Sequence, residues 1–228
     1  MNHRFNLKIM LFASLLFSFV LICPVVHADT KVSSVLEKVV EKYKQFSAGM
    51  SVPYEREILT KSMSMLNGVG LDKASGLFFF KGPDLLKVQQ ETPDVEYVIS
   101  NGKNVWWYVP EKKTAYRFSD MGKELAVLTT IFMGIKNPED TFTITMAGSK
   151  AKDEYVLTLT PNESWEDIDN IKVHVSAVDY IITRIEINDM VGNLTRFRLG
   201  KFEKKNDLDN SFFDFKVPED VKVIEEDQ

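Results

Sequence analysis

From Met50 onward the chain repeats one pattern, short runs in which apolar and polar residues alternate. Successive side chains of a strand point to opposite faces, so alternation marks strands with one buried face. Phe142, Ile144 and Met146 follow it, as do Tyr155, Leu157 and Leu159, and Ile171, Val173 and Val175. Ile181, Ile185 and Ile187, then Phe197 and Leu199, then Phe213 and Phe215 continue the series. Met50 to Leu59, Leu77 to Lys81, Leu85 to Gln90 and Thr114 to Phe118 read as further strands, with Gly82-Pro83-Asp84 turning the second into the third. Pro53 confines the Met50 strand to an edge or a bulge, because proline donates no ladder hydrogen bond. Lys61 to Ser75 reads as loop. About ten or eleven strands at this spacing predict one mainly β domain, a meander that curls into a barrel or half-barrel.

The sharpest local signal is Ile99-Ser100-Asn101-Gly102-Lys103-Asn104-Val105-Trp106-Trp107-Tyr108-Val109-Pro110. Asn-Gly between two apolar runs predicts a hairpin closed by a type I′ turn, which needs φ > 0 at both central residues. The second run then places one Trp on each face of the sheet. A sheet with a single core needs only one of them, so the surplus aromatic surface points to an apolar ligand.

Two segments read as helices. Val32, Val35, Leu36, Val39, Val40, Tyr43 and Phe46 form one apolar stripe, opened near a Ser34-Val35-Leu36-Glu37 capping box and ended by Gly49. Gly122 to Ile135 is apolar around most of its girth, with Leu125, Ala126, Val127, Leu128, Ile131, Phe132, Met133 and Ile135. Such a helix is buried on all sides, either as core packed across the sheet or as a lid over a concave face.

The N-terminus reads as a secretory signal peptide. Arg4 and Lys8 precede the apolar run Met10 to Ile22, and Val26-His27-Ala28 supplies a cleavage site before Asp29. The run is short for a membrane anchor. Ile22, before Cys23, is too large for a lipoprotein signal. Cleavage leaves 29–228 as the mature domain and removes the one Cys and two of the three His. No disulfide or thiolate nucleophile is then possible. The full chain carries a formal charge of −5, made more negative by cleavage, which argues against nucleic acid or an anionic membrane as partner.

The chemical inventory is sparse. No phosphate-cradling glycine loop, nucleophile elbow, HExxH or CxxC occurs. The carboxylate pairs Glu139-Asp140, Glu163 with Glu166-Asp167, and Glu225-Glu226-Asp227 lie in loops or at the tail, where solvation explains them. His174 alternates with Val173 and Val175, so it faces solvent if the valines face the core. No catalytic residue and no metal site is expected.

Several of these features together resemble one family. A secreted chain opens with an amphipathic helix and continues through Phe80-Lys81-Gly82-Pro83 and Ser-Asn-Gly-Lys-x-x-Trp-x-Tyr-x-Pro from Ser100 to Pro110. An apolar helical insert follows, then Phe-x-Phe-x-x-Pro-x-x-Val-x-Val from Phe213 to Val223. The pattern, spanning about Ser33 to Ile224, is similar to the LolA family, the periplasmic outer-membrane lipoprotein carriers of Gram-negative bacteria. The resemblance implies a single incomplete, unclosed antiparallel β-barrel covered by an N-terminal helix and a short helical lid. It implies a periplasmic monomer without cofactor that holds lipoprotein acyl chains in a lid-gated cavity. Cargo would come from an inner-membrane ABC transporter complex and pass to an outer-membrane receptor or the outer membrane. Trp106 and Tyr108 correspond to the family's tryptophan and tyrosine. Strand pattern and motif together name Phe78, Phe80, Leu86, Val88, Trp106, Tyr108, Tyr116 and Phe118 as cavity wall, and Leu125, Leu128, Ile131, Phe132 and Met133 as lid.

One position departs from the family. An Arg usually precedes the Pro of Lys-x-Pro and latches the lid through its guanidinium. Here that position is Gly82, which leaves Lys81 as the candidate latch. An ammonium lacks the planar fork that makes such latching specific. A carrier or sensor of another amphiphile therefore stays open, and a lipid hydrolase stands as the reading from a different class.

Overall fold

The stripe that predicts the first helix is the surface that helix buries. In the computed structural model, which describes residues 30–61, 72–82, 84–119, 130–131, 140–147, 153–163, 165 and 167–226, α1 spans Thr30–Tyr43. It runs into a single helical turn, Lys44–Phe46. Val32, Val35, Leu36, Val39, Tyr43 and Phe46 are all buried. Gly49 then takes φ +140° with Lys205 O only 2.6 Å from where a Cβ would stand, so no other residue fits this exit. Residues 1–28, the expected signal peptide, lie outside the described residues.

Among the described residues thirteen strands form one sheet. They are β1 (Met50–Leu59), β2 (Asp72–Lys81), β3 (Leu85–Thr92), β4 (Glu96–Asn101), β5 (Val105–Val109) and β6 (Thr114–Phe118). After these come β7 (Phe142–Ala147), β8 (Glu154–Pro161), β9 (Ile168–Ser176), β10 (Ile182–Asp189), β11 (Leu194–Leu199), β12 (Glu203–Lys204) and β13 (Lys222–Glu226). Their order is β13-β6-β5-β4-β3-β2-β1-β11-β10-β9-β8-β7, with β12 also on β1. The ends, β13 and β7, do not pair, so the curled sheet is an unclosed barrel. Every neighbouring pair is antiparallel except β13 with β6, which run parallel. The count exceeds ten or eleven because β12 and β13 are too short or too exposed to announce themselves by alternation.

Four local expectations are corrected. Phe213 and Phe215 form no strand: Phe213 ends a helical turn, Asn210–Phe213, capped by the Asp209 side chain accepting from the Ser211 N–H. β2 begins at Asp72, inside the stretch read as loop. Pro53 lies in a central strand rather than at an edge, but at a break. β1 pairs with β12 at Met50 and Ser51 and with β11 from Tyr54 on, so no ladder needs an N–H at Pro53. The Trp hairpin turns one residue later than a type I′ turn at Asn101-Gly102 would. The Asn101 N–H donates to Asn104 O at 3.4 Å, and Gly102 alone has positive φ. That is the sign pattern of a type II′ turn, with Asn101 Oδ1 accepting from the N–H groups of Lys103 and Asn104, each at 3.1 Å.

The core lies between α1 and one face of the sheet, here called the inner face. Ile171, Val173, Val175, Ile182, Ile185, Leu157 and Leu159 line it with side chains at most 1% exposed. Buried Tyr43 fixes α1 to the sheet by accepting the Ile182 N–H at 3.2 Å. The outer face of this half carries ion pairs instead: Lys73, Arg196 and Arg198 on Glu57, then Arg196 and Arg184 on Glu186, then Arg184 and His174 on Glu154. Full burial of one Ile or Leu stabilises by about 1.5–3 kcal/mol, whereas part-buried ion pairs set their attraction against lost solvation. The inner face therefore holds the fold and the ladder sets the outer surface.

Candidate functional site

Register assigns every side chain of β1 to β6 to a face. One row runs Val52, Phe78, Val88, Val98, Trp107, Tyr116, and the next runs Phe80, Leu86, Ser100, Val105, Phe118. Both lie on the inner face, since Val52, Phe78 and Phe80 pack in the core beside α1. Six of the eight expected wall residues share this face: Phe78, Phe80, Leu86, Val88, Tyr116 and Phe118.

Trp106 and Tyr108 do not. They lie in the intervening rows and face outward, beneath the C-terminal segment. The Phe215 ring sits 5.3 Å from Trp106 and 5.1 Å from Tyr108, and Phe212 sits 5.1 Å from Phe79. Of the Phe213-x-Phe215 motif it is Phe215 that bridges both rings, while Phe213 packs edge-on to Phe212. Alternation separates two sets of residues but does not say which set faces the cavity.

Trp107, absent from the expected wall, stands on the inner face. It stacks on Tyr116 at 4.9 Å, and its indole N–H donates to Glu96 Oε2 at 2.9 Å. Around it lies a cavity of about 240 Å³ lined by Tyr54, Arg56, Val88, Gln90, Glu96, Val98 and Trp107. Phe78, Phe80 and Leu86 are sealed in the core beside this cavity, at most 2% exposed, whereas Tyr116 and Phe118 are half-buried. Burial pushes the Tyr54 hydroxyl up to about 12, with Arg56 opposing and Glu96 and Glu91 reinforcing the rise. A larger depression of about 440 Å³ is bordered by Pro53, Tyr54 and Leu199 as well as by Glu55, Glu91 and Arg198.

The latch and lid residues are placed as follows. Lys81 Nζ donates to Leu208 O at 2.6 Å, so its described bond is to the C-terminal segment. Gly82 takes φ +60°, with nothing within 4 Å of a Cβ. Ile131 is helical, 1% exposed and part of the core cluster. Leu125, Leu128, Phe132 and Met133 lie outside the described residues. His174 points away from the core but is only 6% exposed, shielded by its ion-pair neighbours. Its Nδ1 lies 2.7 Å from Arg184 Nη2 and 3.0 Å from Glu154 Oε2. Among the described residues no group of three His, Cys, Asp or Glu could hold a metal ion, and no helix is long and apolar enough to cross a membrane.

An unclosed antiparallel barrel with a helix-covered, aromatic-walled inner face defines the class of protein. The chain belongs to the family described as "Outer membrane lipoprotein carrier protein LolA", which matches residues 64–216. The outer-membrane lipoprotein carrier protein of Aeromonas salmonicida is 29% identical over 162 residues, covering 68% of this chain and 74% of that protein. Its counterpart in Azotobacter vinelandii is 27% identical over 175 residues, covering 75% and 83%. Among solved structures, an uncharacterized conserved protein from Thermus thermophilus superposes with a TM-score of 0.52 at 12% identity, covering 86% of this chain and 99% of that one.

Proposed function

We propose that this chain is a periplasmic carrier that shields lipoprotein acyl chains in transit to the outer membrane. One observation supports it most directly. The inner face of a member of this family carries the stacked, half-buried Trp107–Tyr116 pair beside a cavity lined by Val88 and Val98. An acyl chain of about fifteen methylenes gains roughly 12 kcal/mol on leaving water, so unaided diffusion of a multiply acylated protein is negligible. The cavity is smaller than the roughly 300–1,000 Å³ of a preformed ligand pocket. Loading therefore needs the inner face to open further. The apolar segment 122–135 is the part of the chain suited to act as lid, so cargo gains only the difference between lid packing and chain packing.

In this reading the chain works as a monomer without cofactor or covalent chemistry. It receives cargo from an inner-membrane ABC transporter complex and delivers it to an outer-membrane receptor or the membrane itself. Gly82 in place of the family's arginine, with Lys81 bonded to Leu208, favours a second reading with the same fold, carriage of a different amphiphile. Mass spectrometry of what co-purifies from the periplasm separates the two. Acylated proteins support the first reading, and free lipids alone overturn it in favour of the second. Phe132→Asp is expected to abolish capture with the β-rich far-UV spectrum intact. His174→Ala is expected to leave capture unchanged, and a hydrolytic activity lost in that variant would replace the carrier reading with an enzyme.

A further inference from the structure

The cavity is not uniformly apolar. Val88, Val98 and Trp107 form one side, while Arg56, Gln90 and Glu96 bring polar groups to the other. Two of those three are already engaged. Gln90 Nε2 donates to Asp94 O at 3.0 Å, and Glu96 Oε2 accepts from Trp107 at 2.9 Å. Arg56 differs. Its Nη2 reaches Asp72 Oδ1 at 3.3 Å, but its Nε–H is buried with no hydrogen-bond partner. The described residues hold two other buried nitrogens of this kind, His174 Nε2 and Arg184 Nε, and both lie in the outer-face ion-pair ladder. Of the three residues, Arg56 is the one that lines the cavity.

A buried donor left without an acceptor costs about 1–3 kcal/mol, which a ligand oxygen would recover. We propose that Arg56 binds the polar junction of the cargo, donating from Nε to an uncharged carbonyl oxygen where acyl chains join their head, as an ester or amide. The assignment rests on the carrier reading and names the chemistry that reading requires at this point of the cavity. Charge selects the uncharged carbonyl over an anionic head. The guanidinium faces two carboxylates, Asp72 by direct contact and Glu96 across the cavity, so the site offers no net positive charge to an anion. Geometry selects a carbonyl over bare hydrocarbon, because the fixed, planar Nε–H is satisfied only by an acceptor.

The test uses the full mature chain and three pyrene-labelled probes of equal chain length: a monoacylglycerol, the corresponding fatty acid and an alkane. Fluorescence titration is expected to show the glycerol ester bound about tenfold more tightly than the alkane, the size of one hydrogen bond to a charged donor. Arg56→Gln should erase that tenfold margin and leave alkane affinity unchanged. Arg56→Lys, which keeps the charge but not the directed Nε–H, should lose most of the margin as well. The Arg56 Nε–H resonance should shift on adding the ester and stay in place with the alkane, a response that a purely structural arginine would not give. Equal binding of ester and alkane by the wild type, or an equal loss for all three probes in Arg56→Gln, overturns the assignment while leaving a carrier. Tightest binding of the fatty acid, lost in Arg56→Gln, overturns it in favour of an anion site. A wild-type chain that binds none of the probes overturns both this assignment and the carrier reading.

Discussion

The two halves of the inner face obey the same alternation and end in different states. Under α1, β8 to β11 present Leu, Ile and Val, and these residues are almost wholly buried. Toward β4, β5 and β6 the same face presents half-buried Val98, Trp107, Tyr116 and Phe118 beside the buried Ser100 and Val105. Branched aliphatic side chains have no polar atom and stabilise only when sealed. Trp and Tyr bring a large apolar body with a polar handle and tolerate a partly wet setting. Trp107 uses its handle on Glu96. The first half is sealed, and the second keeps partly accessible aromatic surface, which the proposed carrier role would use.

The largest expected effect breaks this contrast directly. Ile185→Ala should cost about 2–5 kcal/mol in urea unfolding, because a fully buried side chain leaves a cavity in a packed layer. Trp107→Ala should cost less stability and weaken binding of the glycerol-ester probe at least tenfold. The reverse ranking would mean that the aromatic half is core and the aliphatic half is not. Tyr43→Phe comes next. Removing the hydroxyl strands the buried Ile182 N–H, at about 1–3 kcal/mol in thermal or urea unfolding, with no change in probe binding.

The smallest effect concerns the outer face. Arg198 and Arg196 hold the Glu57 carboxyl below its usual range. Burial would raise the Glu186 carboxyl, but hydrogen bonding and charge from Arg196 and the charge of His174 hold it below as well. A depressed folded value contributes stability that is present above the ordinary glutamate value, about 4.3, and is lost as the pH falls through the lowered value. Stability should therefore be flat near neutrality and fall in acid, and Glu57→Gln with Glu186→Gln should flatten that fall. An unchanged acid slope in the double variant would show that the ladder contributes nothing to folding.

Much of this was legible in the chain. Alternation located most strands, with Thr114–Phe118 and Met50–Leu59 read at their observed bounds. The helical stripe named all six residues that α1 and its last turn bury. The end of the Trp hairpin was misplaced by one residue, because Asn101 satisfies the turn with its side chain rather than by a positive φ. Part of the site was hidden for a different reason. Arg56 shows in the sequence as a charge at an apolar position of its run, in step with Val52, Tyr54 and Ile58, but only the residues that β3, β4 and β5 bring beside it make its Nε an unmatched donor.

What the sequence alone determined is a set of local parities: which residues of each strand share a face, which helix face is apolar, and that two tryptophans must part. What only the tertiary structure decided is the neighbour each face receives. Trp106 went beneath Phe215 and Trp107 beside the cavity because the C-terminal segment, more than a hundred positions away, folds over the outer face. Side-chain direction has a period of two and is set within a strand. The cover laid over a face comes from remote chain, and no local period records it.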